Sequence, residues 1–269
     1  MRTNNQAGNT DHWTLITGAS SGIGRAFAAE CARRGMNLML IALPGSGLPG
    51  LCAELETRFG IRCRGVEKDL GKESGCHEVF AYVTENNLQV HALINNVGVG
   101  FNGLLEDMPE EEVADMLTLN IRAATLLTRL FLPTLRSRSR AHILNVGSLA
   151  SFMPLAGKCV YSASKAYVYF FTRALRHELG GTPVSVSGIF PSGVPTNDRV
   201  RQRIAVSGWL GRQTTTSPEK VAREGIDGML RGREIIFPGR KLKAFFLLAS
   251  LLPQGLIIRL LSHEFIHSR

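Results

Sequence analysis

Residues 13–34 read WTLITGASSGIGRAFAAECARR, and this stretch decides the fold. Trp13 to Thr17 is a short apolar run of strand type, while 22–34 repeats apolar residues at helical spacing. Between them lies Thr17-Gly18-Ala19-Ser20-Ser21-Gly22-Ile23-Gly24, with the helix expected from near Arg25. Gly18 permits a sharp strand-to-helix turn. Gly22 and Gly24 carry no side chain, so backbone N–H groups and the positive helix end can approach a pyrophosphate. Glycines alone would suit any flexible turn; the strand–turn–helix setting is what points to a dinucleotide.

Outward from that loop the same alternation continues. Apolar runs at 37–43 (NLMLIAL), 91–95 (HALIN), 142–146 (HILNV), 184–190 (VSVSGIF) and 234–239 (EIIFPG) read as strands. Amphipathic stretches near 48–59, 73–87, 110–135 and 161–179 read as helices. Alternating βα units with continuous apolar strands imply an α/β fold, a doubly wound parallel sheet with helices on both faces. Ligands of such sheets bind beyond the carboxyl ends of the strands. A single domain over 13–240 is expected, after a flexible N-terminal tail (1–12) and before a C-terminal extension (241–269).

Composition excludes several classes. Of 269 residues 44% are hydrophobic and 20% charged, which fits a folded soluble domain rather than a disordered chain. Cysteines at 31, 52, 63, 76 and 159 are odd in number and lack a C-x-x-C pair, so they read as reduced thiols of a cytoplasmic protein. The first twelve residues lack the apolar core of a signal peptide. The net charge is +9, of which +5 falls within Arg231–Arg269. Those cations are interleaved with Phe and Leu, not with nucleic-acid motifs, and nucleic acid is discounted as a partner.

Chemistry gathers further along. Tyr161-Ser162-Ala163-Ser164-Lys165 opens a long helix, where positions i and i+4 share a face. A free tyrosine has a pKa of about 10, and a neighbouring ammonium would lower it towards the operating range. Ser148, thirteen residues upstream and just past a strand, would face Tyr161 across a substrate carbonyl if both lie at one sheet edge. Asn120 sits inside an apolar helix, where asparagine is disfavoured, and reads as an anchor for a water or for Lys165.

Together TGASSGIG (17–24), Asp69-Leu70, NNVG (95–98), Asn120, Ser148, YSASK (161–165) and PSGVPT (191–196) resemble the short-chain dehydrogenase/reductase family, from about Leu15 to Gly239. The resemblance implies a Rossmann-like sheet of about seven parallel strands with a nicotinamide cofactor across its carboxyl edge. It implies Tyr161 as catalytic acid/base, Ser148 as hydrogen-bond donor to the substrate oxygen, and Lys165 on the nicotinamide ribose. Asn120 would hold a water linking Lys165 to solvent. Cofactor contacts are implied for Gly18, Ser20, Ser21, Gly22, Ile23 and Gly24 at the pyrophosphate. Asp69 and Leu70 are implied near the adenine, Asn96 and Gly98 along the ribose side, and Pro191, Gly193, Val194 and Thr196 around the carboxamide. Two departures stand out: Val97 replaces the usual alanine, which would narrow the cofactor groove, and Ser192 replaces a usual glycine.

The end of the second strand, Ile41-Ala42-Leu43-Pro44-Gly45-Ser46-Gly47, carries neither the acid that binds the 2′-hydroxyl of NAD nor an arginine for the 2′-phosphate of NADP. Without the acid, and with Ser46, the glycine backbone and Arg25 or Arg64 as donors, NADP(H) is expected over NAD(H).

Residues 197–217 occupy the place of the family's substrate lid. Arg199, Arg201 and Arg203 there fit either a solvated loop or a site for an acidic substrate group. Residues 241–269 break at Pro253 and carry Arg259, too short a run for a spanning helix. Two amphipathic helices are expected there, covering the substrate pocket, packing on a partner subunit, or lying on an anionic membrane through 241–262. His263-Glu264-Phe265-Ile266-His267 matches a zinc-protease motif, but only two residues remain to supply a third ligand, and no metal is expected. The reading is an oxidoreductase reducing a lipophilic ketone, such as a long-chain 3-oxo lipid or steroid-like carbonyl, and assembled as a homodimer or homotetramer. A catalytically silent dinucleotide sensor and a membrane-surface interaction protein are the alternatives.

Overall fold

Unbroken apolar runs become the centre of one sheet. The computed structural model describes residues 12–196, 215–239 and Gly255. Its strands are β1 (His12–Thr17), β2 (Asn37–Ala42), β3 (Cys63–Glu67), β4 (Gln89–Asn95), β5 (Ala141–Val146), β6 (Val184–Ile189) and β7 (Ile235–Ile236). Every neighbouring pair is parallel, in the order β3-β2-β1-β4-β5-β6-β7. Strand order therefore reverses between β1 and β4, and the crevice at their carboxyl ends is the place for a ligand.

Helices α1 (Gly22–Arg33), α2 (Leu48–Phe59), α3 (Gly75–Glu85), α4 (Glu110–Leu117), α5 (Ala124–Arg136), α6 (Cys159–Glu178) and α7 (Pro218–Leu230) cover both faces. On one face Phe27, Leu48, Leu55 and Ile226 of α1, α2 and α7 pack on Ile16, Leu38 and Ile94. On the other, Val79, Leu127, Phe131 and Leu175 of α3, α5 and α6 pack on Leu15, Met39, Leu93 and Ile143. Each such fully buried side chain contributes about 1.5–3 kcal/mol.

The structure differs from the expected elements at several points. His12 belongs to β1 rather than to the tail. α1 starts at Gly22, three residues before Arg25, so the glycines form its first turn. β3 escapes sequence reading because it is an edge strand with only Cys63 and Val66 buried. α7 escapes it because Gly225 and Gly228 depress helix propensity. Both glycines are demanded by packing: an added Cβ would lie 2.9 Å from Phe27 at position 225 and 2.4 Å from Ile236 at position 228. The helix expected over 110–135 is interrupted by a π-helical turn at Thr118–Ala123. The tail before His12, residues 197–214 of the expected lid, and the extension beyond Gly239 (Gly255 apart) with its His263–His267 motif lie outside the described residues.

Candidate active site

Two loops meet where strand order reverses. The Thr17 hydroxyl at the end of β1 accepts the N–H groups of Asn96 (3.0 Å) and Val97 (2.9 Å), just past β4. The Asn96 side-chain amide donates to the carbonyls of Thr17 (2.8 Å) and Gly18 (3.2 Å). Asn96 is thus tied down beneath the glycine turn. Val97, expected to narrow the groove, turns its side chain against the core cluster under α5.

The glycine turn fits a pyrophosphate. A Cβ on Gly24 would lie 2.0 Å from the Gly18 carbonyl oxygen, and one on Gly22 2.9 Å from the Thr196 side chain, so side chains there would fill the cradle. Ser21 caps α1 by position but makes no side-chain cap bond, and the first turn holds no acid. The orphan N–H groups and the positive end of α1 remain open to an anion. Ile23 packs partly into the core, leaving its backbone to the loop. Leu70 and Val194 are likewise buried, so of the residues implied near the cofactor these offer main chain only. Asp69 accepts the N–H of Gly71 at 2.8 Å.

The turn after β2 holds a feature that reading β2 alone misses. The Gly45 N–H donates to the carboxylate of Glu67, from the end of β3, at 3.0 Å, and the Ser46 N–H donates to the Leu43 carbonyl at 3.2 Å. Two backbone donors of this turn are therefore engaged, the Ser46 hydroxyl is buried without a hydrogen-bond partner among the described residues, and Arg25 is paired with Glu54 at 2.9 Å.

Asn120, Ser148, Tyr161 and Lys165 come together at the same edge. Ser148 begins the 3-10 turn Leu149–Phe152 with a capping box: its hydroxyl accepts the Ala150 N–H (3.2 Å) and its own N–H donates to the Ser151 hydroxyl (3.3 Å). So fixed, the hydroxyl stands close enough to the Tyr161 phenol to act on its pKa. The Leu149 N–H donates to the Pro191 carbonyl at 2.8 Å, tying residues 191–196 to this turn, while Gly193 accepts from the Thr216 N–H at 3.1 Å.

Asn120 lies in the π turn, and its side chain is spent locally. Its Oδ1 accepts the Val99 N–H (2.9 Å), and its Nδ2 donates to the Val99 carbonyl (3.0 Å) and the Ser164 hydroxyl (2.9 Å). Ser164 in turn donates to the Tyr161 carbonyl at 2.8 Å. The π turn explains an asparagine inside an apolar helix, since such bulges recur at functional sites. Instead of bonding Lys165 directly, Asn120 fixes both the 98–99 loop and the backbone of Tyr161. A Cβ on Gly98 would stand 2.7 Å from Asn120 Oδ1 and 3.2 Å from Lys165 Nζ.

The electrostatics depart from the expected acidified phenol. Burial pushes the Tyr161 pKa up, partly offset by the nearby Ser148 hydroxyl. Lys165 Nζ is 6.0 Å from the Tyr161 ring centroid and donates to the Val146 carbonyl at 3.1 Å. Burial lowers its own pKa to about 8. Desolvation outweighs attraction here, because both groups sit under the loop at 98–100.

Beside Tyr161 lies a small cleft, about 10 Å³ in volume, lined by Phe101, Leu105, Met108, Met116 and Val160 among others. The Gly103 N–H donates to the Gly157 carbonyl at 2.9 Å and joins its two rim loops. Lys158, which sequence reading passed over, lines the same cleft with Nζ 5.7 Å from the Tyr161 ring centroid. Thr17, Ser164 and Glu67 were also passed over, since each acts through contacts 22 or more residues away in sequence.

Residues 12–205 match the short chain dehydrogenase family. The chain is 32% identical over 188 residues to very-long-chain 3-oxoacyl-CoA reductase of Anas platyrhynchos, covering 68% of this chain and 60% of that protein. It is 31% identical over 188 residues to 17-beta-hydroxysteroid dehydrogenase type 3 of Homo sapiens, covering 68% of this chain and 59% of that one. The aligned part thus spans about three fifths of the length of these curated relatives. Among solved structures, a short-chain dehydrogenase from Sphingobium yanoikuyae in complex with NADPH is similar at a TM-score of 0.77 and 28% identity, covering 91% of this chain and 94% of that one. One from Burkholderia phymatum in complex with NAD is similar at 0.78 and 27%, covering 89% and 93%.

Proposed function

The chain belongs to the short-chain dehydrogenase/reductase family, and from that premise we propose that it is a nicotinamide-dinucleotide-dependent oxidoreductase that interconverts a carbonyl and a secondary alcohol, reducing a lipophilic ketone. The observation that carries this reading is the gathering of Ser148, Tyr161 and Lys165, with Lys165 Nζ 6.0 Å from the Tyr161 ring centroid, at the carboxyl edge of the sheet beside an apolar cleft. Gly18, Ser20, Ser21, Gly22, Ile23 and Gly24 would hold the pyrophosphate. Asp69, Leu70, Asn96 and Gly98 would border the adenosine side, Lys165 the nicotinamide ribose, and Pro191, Gly193, Val194 and Thr196 the carboxamide.

When bound, the dinucleotide supplies the hydride. Tyr161 gives its phenol proton to the substrate oxygen, and Ser148 donates a hydrogen bond to the same oxygen, so charge developing there is met by two fixed donors. A phenol whose pKa is raised by burial stays protonated at neutral pH, which suits the acid of a reduction. The buried ammonium of Lys165 stands one helical turn behind to steady the phenolate left after transfer. Asn120 positions Tyr161 through Ser164.

A greasy substrate is supported by the five apolar side chains of the cleft and by the substrates named in the relatives' descriptions. For the cofactor the reading is NADP(H) over NAD(H) by a small margin, on the ground that β2 itself carries no acid. A homo-oligomer through α5 and α6 is part of the reading, since Phe170 on α6 is 67% exposed. Membrane contact through 241–262 and a cytoplasmic location complete it; flotation with anionic vesicles tests the former.

The central test is Tyr161→Phe, assayed with NADPH and NADH against ketones from short chains to 3-oxoacyl chains and steroids. The variant should bind dinucleotide as the parent does and lose turnover. Undiminished turnover would remove the proposed mechanism, and wild-type binding without any turnover would favour the sensor.

A further inference from the structure

A carboxylate reaches the end of β2 from the strand beside it. Glu67, the last residue of β3, pairs in register with Ala42, the last residue of β2, at the carboxyl edge of the sheet. From there its Oε2 accepts the Gly45 N–H at 3.0 Å, inside the turn that follows β2. In dinucleotide-binding sheets this turn meets the adenosine ribose, and the group standing there decides between a 2′-hydroxyl and a 2′-phosphate. We propose that Glu67 is the residue that sets this discrimination, holding down affinity for 2′-phosphorylated dinucleotides. The inference rests on the dinucleotide reading above and weighs against the preference for NADP(H), which follows from β2 alone.

Three observations converge. First, Glu67 is half-buried, and among the described residues no lysine or arginine forms an ion pair with it. Lys68, next in sequence, is engaged with Glu78 at 2.6 Å, and Arg25 of the glycine turn with Glu54 at 2.9 Å. Second, the carboxylate consumes the Gly45 N–H, and Leu43 consumes that of Ser46, so the turn has lost backbone donors a phosphate would use. Third, Leu43 is 58% exposed and brings no charge of its own. A 2′-hydroxyl can donate to a carboxylate. A 2′-phosphate can only accept, and it meets a like charge.

Glu67→Gln separates charge from geometry, because the amide oxygen can still accept from Gly45. The probes are 5′-AMP and 2′,5′-ADP, which differ only by the 2′-phosphate, titrated calorimetrically into wild type and variant. Neutralising a like charge in this half-solvated turn should tighten 2′,5′-ADP roughly tenfold and leave 5′-AMP within about threefold. The gain should shrink in about 1 M salt, where screening acts over about 3 Å. Glu67→Ala, which also frees the Gly45 N–H, should move the ratio of the two affinities the same way. An unchanged ratio in both variants, or equal shifts of both probes, overturns the role of Glu67 and leaves the dinucleotide reading standing. Wild type that binds neither probe overturns the dinucleotide reading itself.

Discussion

Lys165 Nζ donates a hydrogen bond to the carbonyl oxygen of Val146, 3.1 Å away, bridging α6 and the end of β5. The bond holds a buried ammonium under Tyr161 while desolvation pulls its pKa down to about 8 from a usual value near 10.5. The folded state therefore releases this proton before the unfolded state does.

Lys165→Met should separate function from stability. Turnover should fall by roughly a hundredfold or more, the scale of lost acid–base support. Stability at pH 7 should not fall, because the variant no longer buries a charge. Between pH 8 and about 10.5 the unfolded wild type binds more protons at this site than the folded one, so wild type gains stability with pH relative to the variant. Urea unfolding of both proteins at pH 7 and 9.5 measures the difference; a constant difference would refute the assigned cause.

Gly98→Ala probes the closest approach in the site. The new methyl would stand 2.7 Å from Asn120 Oδ1 and 3.2 Å from Lys165 Nζ, both held by hydrogen bonds. Either must move. The expected outcome is at least a tenfold loss of kcat, since displacement of positioned groups by about 1 Å costs up to a hundredfold. Circular dichroism should stay as in wild type, and steady-state kinetics checks the rest.

Asn120→Ala should cost stability as well as rate. It strips partners from the Val99 N–H, the Val99 carbonyl and the Ser164 hydroxyl. With each group partly recovered by water, the loss should be about 2–4 kcal/mol in denaturant unfolding. Asn120→Asp keeps only the acceptor for Val99 and should fall between. A variant as stable as wild type would show that the loop at 98–99 is held by something else.

The glycine turn, the Tyr161/Lys165 spacing and most strands were legible because each is written in contiguous residues: an unbroken apolar run, a glycine at a turn, two side chains one helical turn apart. What was not legible depends on residues distant in sequence. β3 is an edge strand whose alternation is broken by Arg64 and Gly65, and α7 has glycines that only its neighbours Phe27 and Ile236 justify. The raised pKa of Tyr161 was missed for a related reason: spacing reveals that an ammonium is near, but the balance against desolvation depends on how the 98–100 loop closes over both. Glu67 shows the same limit, since the acid sought on β2 arrives from β3.

His142 gives the protein a titration in acid. It lies on β5 with its ring 7% exposed as a residue, its Nδ1 buried with no hydrogen-bond partner, and its pKa lowered to about 4 by burial, with Arg140 adding repulsion. Folded protein thus keeps the ring neutral where the unfolded chain, near 6.5, already binds a proton. Between pH 6.5 and about 4 the unfolded state takes up more protons, so stability falls as the solution is acidified through that window. His142→Asn offers a neutral side chain of similar reach and should flatten the slope, leaving stability at pH 7.5 lower by about 1 kcal/mol, as for an ordinary core change. Thermal unfolding of both proteins from pH 7.5 to 4.5 checks this. Parallel curves would mean that the acid sensitivity lies in other groups and that the ring gains a partner when it charges.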